Sequence, residues 1–101
     1  MKINNDEQMI LFCVAKCKQR VSRGLVIEIL QGSHSVRVFN RRLNQNSAFG
    51  TMKGRSTEEV DDKICSLIDR GLLIETDDEY PRLMLTEESE ELLREHGHEI
   101  D

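Results

Sequence analysis

Two short apolar segments constrain the fold of this chain more than any other feature. Residues 72–76 read Leu-Leu-Ile-Glu-Thr, residues 82–85 read Arg-Leu-Met-Leu, and the acidic turn 77–79 separates them. Apolar segments on both sides of a polar turn are typical of a β-hairpin. Pro81 lies where the second strand begins, a position at which a strand tolerates proline. We therefore predict an α+β chain with one small antiparallel hairpin.

Apolar periodicity and capping residues predict helices on both sides of this hairpin. Each helix begins at a residue whose side chain can accept a hydrogen bond from the first turn. The first predicted helix is residues 7–18, capped by Asn5 or Asp6, and the second is residues 23–31, capped by Ser22 and stopped by Gly32. A short third helix, capped by Ser33 or Ser35, contains Val36, Phe39 and Leu43. The fourth is residues 57–70, opened by a capping box at Ser56 and Glu59, and the last is opened by Thr86 and packs Leu92 and Leu93. Residues 44–54 are predicted to form a loop. Helices, a hairpin and a closing helix follow the winged-helix plan, which we predict as a single domain over residues 1–101.

The charged residues are sorted along the chain. Residues 16–55 contain nine Lys and Arg against one acidic residue, Glu28, for a net charge of +8, whereas residues 56–101 carry −12. Affinity for DNA depends on neutralising phosphates, and salt screening limits this attraction to the nearest face of a protein. The first half therefore predicts a DNA-binding face although the whole chain carries −5.

Cysteine and histidine usage argues against a metal site. Three cysteines are present, Cys13, Cys17 and Cys65, and an odd number excludes a complete set of disulfides. All three lie among apolar helical residues, so we predict reduced, buried side chains. A zinc site would need His34, His96 or His98 as a further ligand and lacks the usual close Cys pairs. No metal and no other cofactor is predicted.

Membrane and enzyme functions are not predicted either. No apolar run approaches the roughly 18 residues of a membrane span, and no secretory pattern begins at Met1, so we expect a cytoplasmic protein that is nucleoid-associated in a bacterium. Residues 50–56 lack the Gly-Lys-Ser/Thr ending of an ATP-binding phosphate loop. Ser33 and His34 are adjacent in the chain, an arrangement that does not form a nucleophile facing a base.

Several blocks carry a family resemblance through their order and spacing. They are Ile10-Leu11-x-Cys13-Val14, residues 24–33 (GLVIEILQGS), residues 41–44 (RRLN), residues 48–50 (AFG), residues 64–73 and residues 80–86 (YPRLMLT). Together they resemble the RQC domain, the winged-helix module that follows the motor and the zinc module of RecQ helicases. The resemblance covers about residues 7–94 and leaves a short tail at residues 95–101. It implies binding to duplex DNA beside forks and junctions. Either the chain is a free-standing protein and any helicase motor comes from a partner in trans, or it is an excised domain of a longer protein.

The resemblance also implies where DNA is held. In the RQC family, phosphates lie at the start of the second helix and in the Gly-Ser loop after it. The matching positions here are Ser22, Arg23, Ser33, His34, Ser35 and Arg37. Hydroxyl groups, N–H groups at helix starts and arginine suit phosphate on physical grounds too. The charge pattern adds the other cations of the basic half: Arg20, Arg41, Arg42, Lys53 and Arg55.

The acidic half limits how DNA is read. The helix predicted at residues 57–70 presents Glu58, Glu59, Asp61, Asp62 and Asp69, and carboxylates repel phosphates, so we predict little sequence specificity.

The wing tip consists of Asp78, Glu79 and Tyr80. A packing role of Tyr80 beside Pro81 is favoured over stacking on a base.

Two alternatives follow from the same charges. The basic face could pair with the acidic half of its own or a neighbouring molecule. The acidic helix and wing could also make the chain a protein-interaction module that forms a homodimer or docks on a helicase or regulator.

Overall fold

The computed structural model describes residues 3–19, 21–46 and 48–97 and has a mainly helical α+β architecture. In chain order its elements are α1 (Asn5–Lys16), α2 (Arg23–Gln31), α3 (Val36–Asn40), a 3₁₀ turn (Leu43–Gln45), α4 (Thr57–Asp69), β1 (Leu73–Glu75), β2 (Leu83–Leu85) and α5 (Glu87–Glu95). Helices, a two-stranded hairpin and a closing helix confirm the predicted winged-helix fold.

The hairpin has the predicted antiparallel pairing. Leu73 lies opposite Leu85, and Ile74 lies opposite Met84. The Leu73 and Leu85 side chains are buried, whereas Ile74 is 52% exposed, so one face of the wing meets the core. A third backbone segment joins the hairpin, because the Leu83 N–H donates to the Val21 carbonyl at 2.9 Å. This bridge ties Val21, which precedes the Ser22 cap of α2, to the wing and was not predicted from the sequence.

α1 begins earlier than predicted. Asn4 caps it: the Asn4 side chain accepts from the Glu7 N–H at 2.8 Å, and the Glu7 carboxylate accepts from the Asn4 N–H at 2.9 Å. The prediction of Asn5 or Asp6 as the cap was wrong because this reciprocal box satisfies two N–H groups at once. The helix ends at Lys16, since Lys18 and Gln19 have φ of 57° and 59°.

α2 begins and ends at the predicted residues, whereas α3 is shorter than predicted. Ser22 caps α2 and Gly32 ends it in a left-handed conformation, as predicted. Ser35 caps α3, which ends at Asn40, and Arg42 adopts φ of 56° before the 3₁₀ turn that contains Leu43. Val38 is the buried residue of α3.

α4 and α5 begin at the predicted caps. Ser56 Oγ accepts from the Glu59 N–H at 3.0 Å, but the Glu59 carboxylate accepts from Arg55 Nη1 at 2.9 Å, so only the first half of the predicted capping box forms. α4 ends at Asp69, one residue earlier than predicted. In α5, Thr86 and Ser89 form a reciprocal capping box, and Ser89 is fully buried.

One hydrophobic core joins all five helices and the hairpin in the described part of the chain. Fully buried side chains come from every layer: Ile10, Leu11, Val14, Ile29, Leu30, Val38, Val60, Ile64, Leu67, Leu83 and Leu93. Leu92 is also buried, so α5 packs back onto the core as predicted. No helix in the described residues is both long and apolar enough to cross a membrane.

The loop that follows α3 is anchored at the end of α2. The Gly50 N–H donates to the Ile29 carbonyl at 2.9 Å, and the Met52 N–H donates to the Leu30 carbonyl at 2.8 Å. A Cβ atom at Gly32 would lie 3.2 Å from the Gly50 Cα atom. The two glycines therefore permit a backbone approach that a side chain would prevent.

We expect Gly32→Ala to destabilise the domain more than Gly71→Ala. Both glycines have left-handed backbones, with φ of 71° and 75°, so both variants lose about 1 kcal/mol to backbone strain. Only Gly32 faces a neighbouring backbone, which adds roughly another 1 kcal/mol. Urea unfolding of both variants measures the difference. Equal losses would mean that the loop moves away from α2 without cost.

Candidate nucleic-acid interface

Arg37 is held against the first turns of α2. Its guanidinium forms an ion pair with the Glu28 carboxylate, and the Arg37 side chain remains 56% exposed. A Cβ atom at Gly24 would lie 3.4 Å from Arg37 Nη2. This is an ordinary contact distance, so the Arg37 guanidinium lies directly over the first turn of α2, near the Ser22 cap.

A cleft of about 410 Å³ separates this region from the wing. Ser22, Arg37 and Arg41 line its α2 and α3 side, and Tyr80 and Arg82 line its wing side. We call it the wing cleft. Tyr80 is 78% exposed, so packing beside Pro81, the role favoured from the sequence, does not account for most of its ring.

A second cleft, of about 390 Å³, continues the basic surface toward α1. Lys16, Arg41, Arg42 and Asn46 are among the residues that line it, and we call it the α1 cleft. Arg41 lines both clefts, which joins them into one surface. We define the basic strip as Lys16, Arg37, Arg41, Arg42 and Arg82.

Arg23 does not belong to this surface, although it follows Ser22 directly. Arg23 Nη1 donates to Asp61 Oδ1 at 3.1 Å and to Cys65 Sγ at 3.2 Å, and Nη2 donates to Glu75 Oε1 at 3.0 Å. Burial disfavours the charged guanidinium, yet the hydrogen bonds to Asp61 and Cys65 and the nearby Glu75 carboxylate raise the pKa of Arg23 above its ordinary value. The side chain ties α2 to α4 and β1.

Arg55 lies at the starts of α1 and α4. Its Nη1 atom donates to Glu59 Oε2 at 2.9 Å and to Asp6 Oδ2 at 3.0 Å, and both contacts raise the pKa of Arg55. Lys63 Nζ lies 3.5 Å from the same Asp6 carboxylate. This ion-pair cluster contributes to neither cleft, so Arg55 is separated from the basic strip.

The Gly-Ser loop lies at the other end of α2. Ser33 Oγ accepts from the Ser35 N–H at 3.3 Å, and Ser35 Oγ accepts from the Val38 N–H at 3.4 Å. Each hydroxyl still has its own O–H to donate. His34 is exposed and stacks on Phe39, with ring centroids 5.6 Å apart. Lys53 is exposed in the turns after Gly50, whereas Arg20 lies outside the described residues.

The three cysteines are packed against other side chains of the fold. Cys13 and Cys17 are buried, and Cys65 is half-buried against Arg23. A hydrogen bond between the two thiols of α1 raises the pKa of Cys13 and lowers that of Cys17, to which Asn46 Nδ2 also donates at 3.3 Å. Among the described residues, which exclude His98, no group of three or more His, Cys, Asp and Glu is arranged to hold a metal ion.

The family model of the RQC domain matches residues 2–100. The chain belongs to the RQC domain family. The resemblance identified from the sequence is thereby confirmed.

This RQC domain is also similar to a curated protein, the ATP-dependent DNA helicase RecQ of Bacillus subtilis strain 168. The two are 26% identical over 92 residues, which is 91% of the chain and 16% of the RecQ protein. The chain thus spans about a sixth of the length of this relative.

The outer face of α4 in this RQC domain is acidic, as the sequence analysis expected. Glu58, Asp62 and Asp69 are exposed, whereas Asp61 is partly covered by Arg23. At the wing tip, Asp78 Oδ1 accepts from Thr76 Oγ1 at 3.2 Å. The carboxylates of α4 line neither cleft, whereas Asp78 lies within the wing, 3.9 Å from Arg82 Nη2 of the basic strip, and Glu79 lines the wing cleft.

Sequence reasoning missed two members of the basic strip. Arg82 was assigned to the acidic half because charges were counted along the chain, and Lys16 was counted without a predicted role. The predicted start of the second strand already placed Arg82 on the wing, next to its tip, which is the signal that could have found it. Of the predicted site residues, the clefts bring together Ser22, Arg37, Arg41, Arg42, Glu79 and Tyr80.

Proposed function

We propose that this RQC domain binds the phosphate backbone of duplex DNA, at forks or junctions, through the basic strip. The observation that carries the proposal is the continuity of the wing cleft and the α1 cleft through Arg41. Four arginines and a lysine along one surface match the spacing of a polyanion better than isolated cations do.

The start of α2 supplies a specific phosphate position in this proposal. Ser22 Oγ accepts from the Leu25 N–H at 3.3 Å, which leaves its O–H available for a phosphate oxygen. The first N–H groups of a helix lack intrahelical acceptors, and the helix dipole favours an anion there. Arg37 lines the same cleft and adds charge beside this position. The Ser33, His34 and Ser35 loop and Lys53 are proposed as weaker, outlying contacts.

Base reading is not part of the proposal. The exposed carboxylates of α4 would face phosphates if that helix entered a groove, and each would repel them. Backbone contacts position a protein without specifying sequence. We therefore expect similar affinities for duplexes of unrelated sequence.

Fluorescence anisotropy with labelled forked and blunt duplexes tests the proposal. We expect affinity to fall steeply with salt, with a slope in log–log form of roughly −0.9 for each phosphate neutralised. Binding that is independent of salt, or strong only for one sequence, would contradict it.

We expect Glu28→Gln to raise DNA affinity about threefold. Glu28 competes with phosphate for the Arg37 guanidinium, and an exposed ion pair is worth roughly 0.2–1 kcal/mol. Glu90→Gln is the matched control, since Glu90 forms a comparable pair with Arg94 on α5, at 3.6 Å. Anisotropy titrations at one salt concentration measure both. Unchanged or weaker binding by Glu28→Gln would show that Arg37 does not meet phosphate.

A protein partner is the second candidate function. It is favoured by the exposed carboxylates of α4 and by the exposed Ile74 and Met84 pair on the outer wing face. A helicase, a regulator or a second copy of the chain could use this surface while the basic strip holds DNA. Size-exclusion chromatography with light scattering tests the homodimer.

Catalysis and location complete the proposal. We propose that the domain makes and breaks no bonds, and that any motor acts from another part of a longer protein or in trans. We also place it in the cytoplasm, with the chromosomal DNA that it would bind.

A further inference from the structure

We propose that the outer face of α3 binds an unpaired nucleobase of a single strand that continues from the duplex. This α3 aromatic face consists of His34, Val36 and Phe39. The inference rests on the proposed function, because it extends the DNA path beyond the basic strip and defines the preferred substrate as a duplex with an unpaired extension.

The residues of the α3 aromatic face are exposed although they are apolar or aromatic. Val36 is 73% exposed and Phe39 is 43% exposed, whereas Val38 between them is fully buried and holds the helix on the core. The His34 and Phe39 rings lie nearly parallel, at 15° and 5.6 Å. An exposed pair of stacked rings presents a flat π surface of fixed orientation, which suits any of the four bases.

Charge identifies the occupant of this face. Residues 29–55 contain no Asp or Glu, and their cations include Arg37, Arg41, Arg42 and Lys53. Arg37 belongs to the same short helix, and the Gly50 turn that precedes Lys53 packs against Gly32 at the end of α2. Arg37 pairs with Glu28, yet the four cations together exceed this one acidic charge. A surface that combines stacked rings with excess positive charge complements a base attached to a polyanion.

An unpaired base fits this face better than a paired one. Bases inside a duplex already stack on their neighbours, so only an extruded or terminal nucleotide can present its π face to a side chain. A basic or purely apolar protein segment would add no negative charge to balance the excess of positive charge around this face. The geometry therefore points to single-stranded DNA next to the duplex that the basic strip holds.

The experiment compares a blunt duplex with the same duplex carrying a single-stranded extension, on the 3′ or the 5′ end in turn. Base stacking on an aromatic side chain is worth roughly 1–3 kcal/mol, so we expect one of the extensions to raise wild-type affinity about fivefold or more. Phe39→Ala should lose this gain and retain the affinity for blunt duplex. A 2-aminopurine base in the extension should be quenched by the wild type and not by the variant.

Three controls make the result decisive. An extension of abasic nucleotides adds phosphates without bases and should give little of the gain. Phe39→Leu keeps apolar bulk without a ring and should lose the 2-aminopurine quenching. His34→Ala removes an exposed ring that caps no helix, so it should also lose the gain while the thermal melting curve stays unchanged. Because His34 is a weak outlying contact to duplex, a much smaller loss is expected for the blunt duplex.

The outcomes separate this inference from the proposed function. If Phe39→Ala and His34→Ala keep the full gain, or if abasic extensions produce it equally, the α3 aromatic face does not bind a base, although duplex binding stands. Equal losses for blunt and extended duplexes would also overturn it. If the wild type binds no duplex, the proposed function fails, and the inference fails with it.

Discussion

Replacing Arg37 and Arg41 together by alanine is expected to lower the affinity for duplex DNA about 150-fold at low salt. Arg37 lies in the wing cleft beside Ser22, and Arg41 lines both clefts, so the double variant divides the basic strip at its centre. Hydrogen bonds to charged groups are worth roughly 1.5–3 kcal/mol each, and partial solvent exposure places these at the lower end. The salt slope should become shallower by about 2.

A matched control for this double variant is Arg94→Ala. Arg94 is 62% exposed on α5, pairs with Glu90 as Arg37 pairs with Glu28, and lines neither cleft. It should leave both affinity and salt slope unchanged. If Arg94→Ala weakened binding as much as the double variant did, net charge alone would govern binding and the basic strip would have no special role.

Arg23→Ala is expected to destabilise the fold by about 2 kcal/mol and to affect DNA binding only through folding. The Arg23 guanidinium joins Asp61 of α4, Cys65 of α4 and Glu75 of β1. An exposed ion pair is worth up to about 1 kcal/mol, whereas the disruption of a buried ion pair costs roughly 3–5 kcal/mol. The Arg23 side chain is 26% exposed, so its pair with Asp61 lies between these two cases. Urea unfolding measures the loss.

Two further variants test whether Arg23 is a structural residue. Arg23→Lys keeps the positive charge, but its compact ammonium group cannot reach all three acceptors at once. This variant should therefore recover only part of the stability that Arg23→Ala loses. Glu75→Gln should be milder than Arg23→Ala, because Asp61 and Cys65 remain as partners. If Arg23→Ala were as stable as the wild type and still bound DNA 10-fold less tightly, Arg23 would be a phosphate contact, as the family resemblance implied.

Local features of the fold were predictable because they depend on neighbouring residues. Ser22, Ser56 and Thr86 cap helices as expected, since a cap and the N–H group it satisfies lie within three residues. The hairpin followed from its two apolar segments and polar turn. Errors occurred where a second local arrangement competed, as at Asn4, whose reciprocal bond with Glu7 moved the start of α1.

The third sheet segment could not be read from the sequence. Val21 is a single residue between a helix and a cap, and it has no strand-like neighbours. It pairs with Leu83 because α1 packs against β2, which brings the chain that follows α1 to the edge of the wing. The same bridge places Ser22 next to the wing and so contributes to the geometry of the wing cleft.

The sequence by itself determined the kind of molecule: a winged helix whose order of caps, apolar stripes and hairpin depends on local chemistry, with a basic first half and an acidic second half. Only the tertiary structure decided which cations share a surface. Arg23 meets Asp61 and Glu75, which lie 38 and 52 residues further along the chain. Arg82 of the acidic half instead joins Arg37 and Arg41. The physical reason is that electrostatic attraction depends on the distance between two charges in space and not on their separation along the chain. A count along the chain therefore cannot identify which charges neutralise one another.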